Sequence, residues 1–139
     1  MRSILFTAFF FIPALLAAEP PRQQQKETPE VRAQLAKDAA ALEAQILARA
    51  AQPDPELYMR LGFTYSRLQQ ADDAQRAFEG ALRIDPKKAG AHYMLGLIYE
   101  KKGMKDKAIA AWKACLENTT DPRMRDTAMR HLHHLTAIR

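Results

Sequence analysis

Cysteine occurs once in this chain, at Cys115, and tryptophan once, at Trp112. A lone cysteine excludes an internal disulfide in any compartment, so the fold must be held by packing. Cys115 stands among small apolar residues of a predicted helix, where cysteine behaves as a small hydrophobe. Serine occurs twice, and Ser66 is the one left beyond residue 18. Neither Ser66 nor Cys115 lies in a nucleophile motif. Glycine is also sparse: Gly62, Gly80, Gly90, Gly96 and Gly103 are scattered and form no phosphate-cradling loop. The chain is therefore expected to have no catalytic residues, no nucleotide and no cofactor. No segment alternates apolar and polar residues between turn signals, so no strand is predicted.

Long apolar runs are absent apart from one near the N-terminus. Arg2 supplies a basic start, and residues 4–18 carry no charge but are interrupted by Pro13. The run is shorter than the roughly 20 residues needed to cross a bilayer, and Pro13 interrupts it before a small-residue end at Ala17 and Ala18. Residues 1–18 are read as a secretory signal peptide cut after Ala18, with an uncleaved inner-membrane anchor as the alternative. The expected location is periplasmic or secreted, without stable membrane insertion once the leader is removed. No cysteine follows the run to accept lipid. Residues 19–28 are polar and proline-containing, a flexible tether.

Acidic residues are the scarcer charge. The chain has 21 Lys and Arg against 16 Asp and Glu, a net +5, which becomes +4 without residues 1–18. The excess gathers in residues 101–139, where it favours acidic partners. Solvated helix surface is the plainer explanation of these cations, and export makes nucleic acid an unexpected partner.

Four prolines follow capping residues: Thr28-Pro29, Asp54-Pro55, Asp85-Pro86 and Asp121-Pro122. Proline fits the first helical turn because its missing N–H would have had no partner there, and the Thr or Asp oxygen accepts from the free amides. Asp72 after Gln69-Gln70-Ala71 marks a further start, and Gly103 after Lys101 and Lys102 marks a stop. Six helices are predicted near 29–51, 55–69, 72–84, 86–102, 105–118 and 122–138, making the chain all-α.

Leu61, Gly62, Tyr65, Asp72, Ala74, Ala77 and Leu82 return 34 residues later as Leu95, Gly96, Tyr99, Asp106, Ala108, Ala111 and Leu116. Phe78 becomes Trp112 and Ala81 becomes Cys115, so bulky places stay bulky and small ones small. The pattern resembles the tetratricopeptide repeat (TPR), a 34-residue helical hairpin that stacks into a solenoid. Residues 55–88 hold the signature as Tyr58, Leu61, Gly62, Tyr65, Ala74, Phe78, Ala81 and Pro86. Residues 89–122 hold it as His92, Leu95, Gly96, Tyr99, Gly103, Ala108, Trp112 and Cys115. This second copy departs at His92, where an aromatic is usual, and its closing proline slides to Pro122. Residues 29–51 resemble the second helix of a degenerate earlier repeat, because Ala40, Ala44 and Leu47 lie 34 before Ala74, Phe78 and Ala81. Residues 123–139 read as a capping helix with the stripe Met124, Ala128, Leu132, Leu135 and Ile138.

The resemblance implies a protein-binding module whose first helices line a concave groove. Met59, Phe63 and Ser66 share one face of the helix at i, i+4 and i+7, and Tyr93, Leu97 and Glu100 correspond to them in the next repeat. They are the expected partner-binding groove, with Arg67, Lys101 and Lys102 as a basic rim. The expected partner is a protein or peptide whose apolar segment has acidic flanks. Coverage of this face by the chain's own terminal helices, or self-association, is the competing use. His131 and His134 share a helix face at i and i+3 but lack two further ligands nearby, so no metal site is assigned. The functional expectation is a non-enzymatic scaffold of the bacterial cell envelope. One alternative is an accessory factor of a periplasmic enzyme or cytochrome-maturation system, and another is a metal-binding protein acting through His131 and His134.

Overall fold

In the computed structural model the described residues are 27–137. The leader at 1–18, the tether as far as residue 26, and Ile138 lie outside them. The described chain is an all-α helical-repeat solenoid of six helices: α1 (Pro29–Ala48), α2 (Pro55–Arg67), α3 (Ala71–Ile84), α4 (Ala89–Lys101), α5 (Lys105–Asn118) and α6 (Pro122–Ala137). Each helix packs chiefly on its neighbours in sequence. That pattern defines a stack of hairpins rather than a bundle.

Proline-led starts hold at three of the four places. Thr28 Oγ1 accepts from Val31 N at 3.3 Å, Asp54 Oδ1 from Glu56 N at 2.9 Å, and Asp121 Oδ1 from Arg123 N at 3.0 Å. Asp85-Pro86 is different. Asp85 Oδ1 accepts from Lys87 N at 3.0 Å and its carbonyl from Lys88 N at 3.2 Å, which closes a turn, and α4 begins only at Ala89. Asp72 is not a cap either: α3 starts at Ala71 behind Gln70. Asp72 lies in the first turn and accepts from Lys102 Nζ at 2.7 Å, which holds its carboxyl below the usual carboxylate range.

Within each hairpin a ring lies on a glycine. A Cβ at Gly62 would come 2.6 Å from Phe78 Cε1, and one at Gly96 would come 2.6 Å from Trp112 Cε2. Phe78 and Trp112 are fully buried. Each glycine costs about 1 kcal/mol in helix propensity, whereas burying an aromatic ring returns roughly 1.5–3 kcal/mol, so the close approach wins. The main core gathers Phe78, Trp112, Leu95 and Cys115 around these contacts. Burial pushes the Cys115 thiol up, as befits a packing residue rather than a reactive one.

Successive hairpins are tied by a repeated hydrogen bond. Tyr65 OH donates to Glu43 of α1, and Tyr99 OH donates to Glu79 of α3 at 2.9 Å. The hydrogen bond to Glu43 and then burial push the Tyr65 phenol up to about 12, and burial followed by the hydrogen bond to Glu79 pushes Tyr99 up to about 12.

The sequence expectation for α1 is off in register. Leu35, Ala39 and Leu42 are the buried residues, and Ala39 and Leu42 pack with Leu57, Leu61 and Ala77. Ala40 and Ala44 are exposed and Leu47 is 78% exposed. Ala40, Ala44 and Leu47 lie on the face that would meet the first helix of α1's own repeat, and no described helix occupies that position. The side of α1 facing the next repeat carries the packing instead. At the other end α6 lays Met124, Ala128, Leu132 and Leu135 against the main core.

Candidate functional site

The inner face is built from α2 and α4, bordered by α6. Phe63 on α2 is 45% exposed, yet its ring stands edge-on to buried Phe78, with centroids 5.4 Å apart and planes at 76°. An aromatic side chain is thus held in place and left open to solvent, the combination expected of a contact anchor. Leu97, one repeat later, is half-buried and lines a small cleft of about 150 Å³ with Ser66, Ala71, Ile98 and Lys101. Tyr93 is half-buried, edge-on to Trp112 at 5.2 Å and 89°.

Three of the expected groove residues are engaged elsewhere. Met59 is only 5% exposed and belongs to the main core. Gly90 of α4 lies against it at ordinary contact distance, a Cβ there standing 3.4 Å from Met59 Cε. Ser66 Oγ donates to Gly62 O at 2.8 Å, so the hydroxyl serves its own helix. Glu100 accepts from Trp112 Nε1 and, at 2.8 Å, from His131 Nδ1. The imidazole of His131 stacks on Trp112 with centroids 4.5 Å apart. Trp112, Glu100 and His131 together fasten α6 to the last hairpin, and Glu100 is a structural acceptor rather than a free polar handle.

The rim is also thinner than expected. Arg67 donates to Glu27 through Nε and Nη2, at 3.1 and 2.9 Å. Lys102 Nζ donates to Asp72 and Gln75, both at 2.7 Å. Lys101 is exposed and has no ion pair among the described residues. Sequence reading missed Arg130 of α6, which is exposed and borders a cleft shared with Glu100, His131 and His134. Its neighbour Met129, 48% exposed, was also missed. The 34-residue spacing could not reach them, because α6 does not keep that register.

His131 and His134 share this cleft, but His131 is committed to Glu100 and Trp112. Among the described residues no group of three or more His, Cys, Asp or Glu side chains is placed to hold a metal ion. No described helix is long and apolar enough to cross a membrane.

A ring-on-glycine contact repeated after 34 residues is the arrangement of a helical-repeat solenoid. Residues 68–129 match the tetratricopeptide repeat family. The TPR match takes in α3, α4, α5 and the first half of α6. It leaves out α2, where Leu61, Gly62 and Tyr65 match Leu95, Gly96 and Tyr99 of α4 and Gly62 makes the same ring contact. TPR units generally mediate protein–protein interaction and are typically non-enzymatic. No curated protein matches the chain.

Proposed function

We propose that this chain is a non-enzymatic tetratricopeptide adaptor of the bacterial cell envelope, exported by residues 1–18 and holding a protein partner across its inner face. Phe63 carries the reading: it is large, apolar, solvent-facing, and fixed by Phe78 so that little side-chain freedom is lost on binding. Leu97 extends the apolar contact and Lys101 and Arg130 give it a positive border. The partner is an apolar segment with acidic flanks, and the small surface of two repeats fits an affinity on the order of micromolar.

The test is capture from an envelope extract by wild type and by Phe63→Asp, followed by titration of the captured protein's purified segment. Loss of binding by Phe63→Asp with unchanged helicity supports the reading, and equal binding by both overturns it. A reporter fusion after residue 28 checks export. Activity only on the cytoplasmic side sinks the envelope assignment.

A further inference from the structure

We infer that the chain has a second peptide site on the opposite side of α4, in an apolar groove between α3 and α5. The groove encloses about 510 Å³ and is floored by Leu95 and Tyr99, with Leu82 on one wall and Ala110 and Ala114 on the other. His92, Leu95 and Tyr99 fall on the reverse of the helix from Tyr93, Leu97 and Lys101 at 100° per residue. The two surfaces are therefore separate.

The groove arises from a difference between the two repeats. In the first, Tyr58 lies over Gly80, and a Cβ at Gly80 would strike the Tyr58 ring. One repeat on, these places hold His92 and Ala114. His92 is smaller than tyrosine and turns to the backbone, with Nε2 2.8 Å from Pro86 O. Both His92 and Ala114 line the groove. The space that Tyr58 fills in one repeat is open in the other.

Charge selects the occupant. Arg83 and Lys107 border the groove, and neither has an ion pair among the described residues. Lys107 Nζ stands 5.7 Å from the centre of the Tyr99 ring. The single carboxylate of the lining, Glu79, already accepts from Tyr99 OH at 2.9 Å and Gln75 Nε2 at 2.8 Å. An apolar floor of this size between two unpaired cations fits an acidic peptide that inserts a large apolar side chain.

Fluorescence anisotropy of a labelled peptide with leucine and phenylalanine between aspartates tests this, with a lysine-for-aspartate peptide as control. The acidic probe binds and the control does not. The double variant His92→Tyr with Ala114→Gly rebuilds the first repeat's arrangement, and it weakens binding about tenfold or more, as loss of an anchor pocket does. Arg83→Glu with Lys107→Glu does the same, and Phe63→Asp leaves the affinity unchanged. Should the double variant lose helicity, Ala110→Phe at an exposed position fills the groove without touching the core. Undiminished binding with the groove filled, or loss of binding on Phe63→Asp alone, overturns the proposal. So does sedimentation showing that a wild-type dimer becomes monomeric when the groove is filled, which would make a second copy the occupant.

Discussion

Gly96 and the indole of Trp112 touch with no room for a methyl group between them, since a Cβ would stand 2.6 Å from Cε2 and 2.7 Å from Cδ2. Gly96→Ala gains about 1 kcal/mol of helix propensity, but overpacking against a fully buried ring costs about 1–3 kcal/mol. The net effect is destabilisation of up to about 2 kcal/mol, read as a lower urea midpoint with an unchanged slope. Gly62→Ala behaves alike because Phe78 is as close. Stabilised variants would show that the rings yield freely.

Gln69 and Gly103 occupy the same place in the two hairpins, and both have positive φ, 61° and 70°. Each turn closes with the same bonds: Gln70 N to Tyr65 O in one, Met104 N to Tyr99 O in the other. Glutamine in this left-handed conformation carries a strain of about 1 kcal/mol that glycine escapes. Gln69→Gly therefore raises stability by up to about 0.6 kcal/mol, the relieved strain less the roughly 0.4–1 kcal/mol that glycine's freer unfolded chain takes back. A fall in the thermal midpoint contradicts this.

Six helices and the pairing of Gly62 with Gly96 and of Phe78 with Trp112 were legible because they follow from the 34-residue spacing, whereas the contact of each ring with its glycine is visible only in the structure. What spacing could not supply was which partner a side chain would take. Met59 and Phe63 lie four apart on one face of α2, yet Met59 is buried in the main core beside Gly90 of α4 while Phe63 stays open. Glu100 looked like a groove handle until α6 brought His131 beside it. The α1 pattern misled for a related reason, because Ala40, Ala44 and Leu47, aligned with a repeat's interior, have no first helix to meet among the described residues.

Tyr65 and Tyr99 hold their phenolic protons more tightly when folded, with values near 12 against an ordinary 10. Their contribution to stability is complete below the unfolded value and is lost as pH rises from 10 through 12. Ultraviolet titration of folded protein should show the Tyr65 and Tyr99 phenols ionising late. Tyr99→Phe removes one late transition and flattens the alkaline loss of stability. If these two phenols titrate near 10, the hydrogen bonds to Glu43 and Glu79 do not persist in solution.

His131 holds α6 by stacking on Trp112 and donating to Glu100. Replacing it with alanine removes both contacts and costs about 1–3 kcal/mol, in the range for a broken partly buried network. The loss is local: amides of α6 should exchange faster while those of α2 and α3 keep their protection. Uniform acceleration across the chain would mean that the cap is integral to one cooperative unit.

Leu47, with Ala40 and Ala44 beside it, marks a flank of α1 that no other described helix covers, while the opposite flank grips α2. In a pile where each layer is secured only by the next, an edge gripped on a single side comes away first. Heat or denaturant should thus peel this molecule from its amino end, and the half containing Trp112 should be the last to melt.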